Sequence, residues 1–161
     1  MTARFSHVNQ RGEAHMVDVG AKPVTRRVAV AVGEITLNAE ALGLLRANKL
    51  AKGDALAVAR IAGIQAAKRV EALIPLCHSV SLDSVDVDFD LLADRVRIRS
   101  VARCSGKTGV EMEALTAVSV AALTLYDMAK SIDKSMVLGP FYLESKTGGR
   151  SGTYKRRSRE R

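Results

Sequence analysis

Apolar and polar positions change period several times along the chain, and each change marks an element. Arg27 to Leu37 alternates loosely and is rich in valine, the pattern of a half-buried strand. Asn38 then offers an N-cap for a short helix through about Lys49. Leu50-Ala51-Lys52-Gly53 interrupts the periodicity. Asp54 caps a second helix through about Leu73, which Pro75 stops. This helix carries Ala55, Ala57, Ala59, Ala62, Gly63, Ala66 and Ala67, small enough for another element to approach closely. Val85 to Leu91 and Arg95 to Arg103 alternate cleanly and predict a hairpin. Val85, Val87 and Phe89 point one way and Asp86, Asp88 and Asp90 the other, while Val96 and Ile98 oppose Arg95, Arg97 and Arg99. Aspartates facing arginines predict a solvated ion-pair ladder, each pair contributing roughly 0.2–1 kcal/mol. A long helix follows from about Gly109 to Asp133, and Met136 to Ser145 forms a last strand interrupted by Gly139-Pro140. Residues 1–24 have no regular period. The order β-α-α-β-β-α-β, with largely antiparallel strands, predicts an α+β fold with helices on one face. No internal repeat or second domain is visible: residues 1–154 read as one domain and 155–161 as a basic, unstructured tail.

The long helix raises the first functional question. From Ala114 to Ala129 nearly every residue is apolar, and such a helix needs cover on all sides. A chain of 161 residues can hardly supply it alone, which predicts a subunit interface. Glu113, Thr116, Thr124, Asp127 and Ser131 fall close to one line along it, with Lys130 three residues after Asp127. Asp127 and Lys130 read either as an ordinary ion pair at a helix end or as a partly buried acid/base pair whose proton affinities depend on one another. Thr108-Gly109-Val110-Glu111 matches a capping box, the expected role of Glu111, and leaves Glu113 free to touch a ligand.

Charge narrows the partners. The net charge is +8, but Lys146 to Arg161 alone carries +6 and the rest of the chain +2. The tail is rich in Gly, Ser and Arg, the composition of a solvated terminus. Single-strand nucleic-acid binding wants stacking aromatics, and only Tyr154 lies near the cluster. Nucleic acid is therefore a disfavoured partner, and an RNA-binding module built on the tail is the alternative from another class, beside a purely structural oligomer. No apolar run reaches the ~18 residues of a membrane span. Met1 to Gln10 lacks the apolar stretch of a secretory signal, so Cys77 and Cys104 read as reduced thiols of a cytosolic protein.

Lys52 and Lys107 each precede a helix N-terminus, where backbone donors already favour anions, and two such places hint at a phosphorylated ligand. Gly106-Lys107-Thr108 resembles the end of a phosphate-cradling loop, but Val101 stands where that loop needs glycine. Gly148-Gly149-Arg150-Ser151-Gly152 reads as a flexible turn. No Cys-x-x-Cys or His-x-x-x-His occurs, so no metal site is expected. Cys77 and His78 are adjacent in extended chain and point apart, which makes them poor partners for nucleophilic catalysis.

Literal strings carry the reading further. Gly12-Glu13-Ala14-His15-Met16-Val17-Asp18-Val19, Lys52-Gly53-Asp54, the run Ala59 to Arg69, Leu73-Ile74-Pro75-Leu76-Cys77-His78, the run Gly106 to Thr116, and Tyr126-Asp127-Met128 stand in order with the turn from Lys146 to Gly152. Together they closely resemble the cyclic pyranopterin monophosphate synthase family, accessory protein C of molybdenum-cofactor biosynthesis, from about residue 6 to residue 154. The resemblance implies a ferredoxin-like sheet and a homohexamer, a trimer of dimers with active sites at dimer interfaces. The implied substrate is the cyclised GTP intermediate 3′,8-cyclo-7,8-dihydro-GTP, converted to cyclic pyranopterin monophosphate with release of pyrophosphate. It assigns Asp127, Lys130 and Lys52 to catalysis, and Leu76, Cys77, His78, Glu111, Met112, Glu113 and Lys146 to substrate binding. It implies no cofactor of the protein's own, is compatible with Mg²⁺ accompanying the triphosphate, and places the protein in the cytoplasm. Ser79 stands where a proline is usual, Gly20 where serine is common, and Arg150 for a frequent lysine.

Overall fold

A computed structural model of the chain describes residues 11–157. The readings of residues 1–10, of Arg159 and of Arg161 lie outside them.

Among the described residues, five strands form one antiparallel sheet in the order β2-β3-β1-β4-β5. They are β1 (Thr25–Thr36), β2 (Ser84–Leu91), β3 (Arg95–Gly106), β4 (Val137–Thr147) and β5 (Tyr154–Lys155). The helices are α1 (Ala39–Arg46), α2 (Ala55–Ala67), α3 (Val70–Leu73) and α4 (Glu111–Ala129). The period changes predict the α+β class; without β5, the arrangement is the split β-α-β of a ferredoxin-like fold, the one the resemblance implies. Asn38 caps α1 by accepting from the Ala41 N–H at 2.8 Å, and Asp54 caps α2 through the Ala57 N–H at 2.9 Å.

β1 lies at the centre because every second residue serves one face. Ala29, Ala31 and Ile35 are fully buried under the helices. Gly33 is glycine because a Cβ there would meet the Phe141 ring at 2.5 Å and Val118 of α4 at 3.3 Å. The small-residue surface of α2 does what its composition predicts. A Cβ on Gly63 would stand 2.8 Å from the Ala117 carbonyl, so α2 and α4 pack almost backbone to backbone.

Several local expectations are corrected. The second helix divides at Lys68 and Arg69 into α2 and α3, because Arg69 leaves helical geometry with φ −124°. The Asp–Arg ladder is mostly absent. Register sets Asp88 beside Arg99 and Asp90 beside Arg97. Arg97 and Arg95 turn instead to the buried Glu34, and Arg99 to Glu144, while Asp86 pairs with Arg103, outside the predicted row. A carboxylate buried on the central strand needs cations more than exposed aspartates do. Burial pushes the Glu34 pKa up, but the hydrogen bonds and charges of Arg95 and Arg97 outweigh it and hold the group ionised.

Part of the expected unstructured tail is ordered. Tyr154 and Lys155 pair with Lys146 and Ser145, and Arg156 lies over the Tyr142 ring at 4.6 Å while its N–H donates to the Glu144 carbonyl. The helix apolar on all sides is α4, long and apolar enough to cross a membrane by length and composition alone. It packs on β1, β3, β4 and α2, with its inward half buried. Its other surface leaves Leu123 59% exposed.

Candidate functional site

Charged groups gather at both ends of α4. At its start, the chain entering from β3, the loop after α3 and the irregular segment 11–24 converge on two cavities with shared walls. The first, about 630 Å³, is lined by Ile74, Leu76, Cys77, His78, Met112 and Glu113, with Val17, Val19 and Lys22 from the N-terminal segment. The second, about 720 Å³, is lined by Lys22, Arg27, Lys107, Lys146 and Arg150, with Glu111 the one carboxylate. Lys22, Thr108, Gly109 and Glu111 belong to both, so a largely apolar chamber opens beside a strongly basic one.

The geometry within these chambers is specific. The His78 ring is anchored by Nε2 on the Val17 carbonyl at 2.7 Å. A carbonyl only accepts, so Nε2 carries a proton. Lys146 donates to Glu111 Oε1 at 2.7 Å, both side chains half-buried. This replaces the expected capping box: the N-cap of α4 is Val110, with no side-chain cap bond, and Glu111 serves Lys146 instead. Glu113 is only 4% exposed. Burial, aided by the charge of Glu111, pushes its pKa above 4.5. Burial and the charge of Glu113 also push the Cys77 thiol up, so Cys77 lines the pocket as a neutral thiol and not as a nucleophile.

The end of α4 is different. Asp127 receives Lys130 on Oδ1 at 2.7 Å and Lys52 on Oδ2 at 2.8 Å, and Lys52 also donates to the Asp127 carbonyl at 2.8 Å. Lys52 therefore reaches the C-terminus of α4 and not the N-terminus of α2, where Asp54 already caps. Of the two readings of the pair, one chain by itself shows the exposed one: the Asp127, Lys130 and Lys52 side chains are 55%, 52% and 42% exposed within it. With little burial, hydrogen bonds from Lys130 and Lys52 dominate and hold the Asp127 carboxyl at about 2, while Asp127 raises Lys130. At neutral pH this is one carboxylate binding two ammonium groups together.

The structure thus gathers Leu76, Cys77, His78, Glu111, Met112 and Glu113 around the first cavity and puts Lys146 on the wall of the second. It gathers Asp127, Lys130 and Lys52 into a separate cluster that lines neither. Lys107 lines the basic chamber while donating to the Gly20 carbonyl at 2.6 Å. The sequence reading misses Lys22, Arg27 and Arg150. Their signal lies in the strand register, which sets Arg27 opposite Cys104, two residues before Gly106. Arg27 donates to the Gly106 and Lys107 carbonyls at 3.4 and 3.2 Å. The glycine turn after Lys146 is a wall of the same chamber and not merely a flexible connection. Among the described residues no group of three His, Cys, Asp or Glu is placed to hold a metal ion.

Comparison with known proteins fits this arrangement. Residues 16–149 match the MoaC family model. Proteins named cyclic pyranopterin monophosphate synthase resemble the chain over nearly its full length. That of Peptoclostridium acidaminophilum is 50% identical over 154 residues, covering 96% of this chain and 98% of the relative. That of Brevibacillus brevis is 50% identical over 157 residues, 97% and 98%. That of Novosphingobium aromaticivorans is 53% identical over 151 residues, 94% and 96%. Matches of this length and identity, spanning both ends of α4 and the elements that frame them, mean that the chain belongs to the MoaC family.

Proposed function

We propose that the chain catalyses the step its relatives are named for, as an enzyme of molybdenum-cofactor biosynthesis. It converts 3′,8-cyclo-7,8-dihydro-GTP to cyclic pyranopterin monophosphate and releases pyrophosphate. The observation that carries this reading is the pair of joined chambers. The substrate has a flat heterocycle and a triphosphate. A chamber lined by Leu76, Cys77, His78 and Met112 suits the first, and one lined by five cations suits the second.

The residues divide the chemistry. Rebuilding a purine into a pterin moves several protons, and His78 and Glu113 stand at the heterocycle's chamber. Closing the cyclic phosphate requires attack on the inner phosphorus with pyrophosphate leaving. Lys146 and Lys107 offset the charge that grows on the departing phosphates. Asp127, at about 2, is a poor base near neutrality. Its role is to hold Lys52 and Lys130 together as a fixed pair of ammonium groups beside the reacting centre.

The two clusters require a second copy. Glu111 and Asp127 are 16 residues apart on one helix, about 24 Å at the helical rise. A compact ligand in the first chamber does not reach from one to the other. Val58 and Ile61 of α2, Leu123 of α4 and Val137 of β4 are exposed apolar residues. Such exposed apolar side chains fit cover by another protomer. The reading is therefore a homo-oligomer, a trimer of dimers, whose sites join the chambers of one protomer to the Asp127 cluster of its neighbour. Its compartment is the cytoplasm, in keeping with the two free thiols.

The test is direct. Purified protein incubated with the cyclised intermediate should release pyrophosphate and form the cyclic phosphate product, each followed by phosphorus NMR. No conversion of the intermediate by folded, oligomeric protein would remove the assignment.

A further inference from the structure

Glu113 belongs to the wall of more than one cavity. It lines the heterocycle's chamber, and with His78 and Val80 it also lines a separate cavity of about 250 Å³. The rim of that cavity is polar and open: Lys68, Glu71, Ser79 and Ser81 are all exposed. At roughly 30 Å³ per water, the volume holds several molecules, with hydroxyl and charged partners to bind them. Glu113 makes no side-chain ion pair within the described residues. A buried acid with no ion-pair partner among the described residues, lining both a ligand chamber and a polar cavity with room for water, is arranged for exchange and not for anchoring.

We infer that the 250 Å³ polar cavity is the route by which Glu113 exchanges protons with solvent while substrate fills the heterocycle's chamber. Glu113 gives its proton to an atom of the bound heterocycle. A buffer acid replaces it through water in the polar cavity, so the carboxyl returns to its starting state and the net change is one proton taken from solvent. The reverse sequence removes one. Substrate closing the first chamber then does not isolate the acid. This inference rests on the proposed reaction and adds to it a path that no substrate contact requires.

Ser81 and Ser79 line the polar cavity and not the heterocycle's chamber, so filling it there leaves the chamber's walls unchanged. In the full-length oligomer turning over the cyclised intermediate, Ser81→Phe should lower kcat about tenfold, at the modest end of proton-transfer effects. KM should stay within about twofold, because ground-state binding is not touched. The solvent deuterium isotope effect on kcat should rise, since proton exchange becomes slower than the steps it serves. Ser81→Ala, which keeps the cavity open, should match wild type. Ser79→Leu repeats the test if the phenylalanine variant does not assemble. Wild-type kcat in the filled variants, or a lower kcat with an unchanged isotope effect, would overturn the route. A wild-type protein that leaves the intermediate untouched would remove the parent reaction and the route with it.

Discussion

The two ends of α4 carry acids of the same kind in opposite states. At the start of the helix Glu113 is buried in the walls of two cavities, and burial drives it toward the neutral form. At the end Asp127 is mostly exposed, and two ammonium groups drive it deep into the ionised form. Periodicity along the helix puts both on one polar line and says nothing of this difference. What separates them is what the rest of the chain brings to each end. The loop after α3 and the segment 11–24 wall in the first, whereas the second receives the side chains of Lys52 and Lys130. One end is built to hold a ligand and pass protons, and the other to present fixed positive charge outward.

The largest predicted effect tests the exposed end. Lys52→Ala or Asp127→Ala should reduce turnover by at least ~100-fold, the scale of lost acid/base and electrostatic catalysis, while size-exclusion shows the same oligomer. Turnover near wild type in either variant would remove that residue from the chemistry. Next comes the basic chamber at the other end. Lys146→Ala should weaken pyrophosphate binding by about tenfold, the value of one charge-assisted hydrogen bond. Calorimetry in the wild type should show that affinity falling with added salt.

The seam between α2 and α4 tests whether the exposed cluster depends on close packing. Gly63→Ala pushes a methyl group toward the Ala117 carbonyl. It should cost about 1–3 kcal/mol in thermal or denaturant unfolding, as overpacking does. The smallest effect concerns the enclosed acid. Its folded pKa is raised above 4.5, so the native state binds more protons than the unfolded one between 4.5 and that higher value. Stability should fall as pH rises through this window. Glu113→Gln should flatten that slope and leave the protein slightly more stable at neutral pH. An unchanged slope in denaturant titrations across these pH values would contradict the burial argument.

Much of this was legible before the structure. The strand and helix order, the caps at Asn38 and Asp54 and the close face of α2 follow from local pattern, because each is decided within a few residues. Partnerships decided by the whole sheet were not. Arg97 and Arg99 face aspartates across the hairpin, but β1 and β4 bring Glu34 and Glu144 within reach from the other side. Glu111 looks like a cap until β4 delivers Lys146 to it. Lys22, Arg27 and Arg150 each look like ordinary surface cations, since only their convergence around Lys107 makes a chamber. Tyr154 and Arg156 sit in a stretch with no periodicity and find their places on β4. The family strings named Lys146 and the Asp127 cluster, which no spacing argument would have joined to His78.

The central claim is that one active site takes its chambers from one protomer and its Asp127 cluster from another. Co-assembly of Asp127→Ala chains with His78→Ala chains tests it most directly. Each variant alone should be nearly inactive. If sites are shared across two-fold interfaces, random reassortment places both lesions in one site of each mixed pair and restores the other, giving about a quarter of wild-type turnover. If mixed oligomers, purified through two different tags, are no more active than the separate variants, every site is complete within one chain and the claim is wrong.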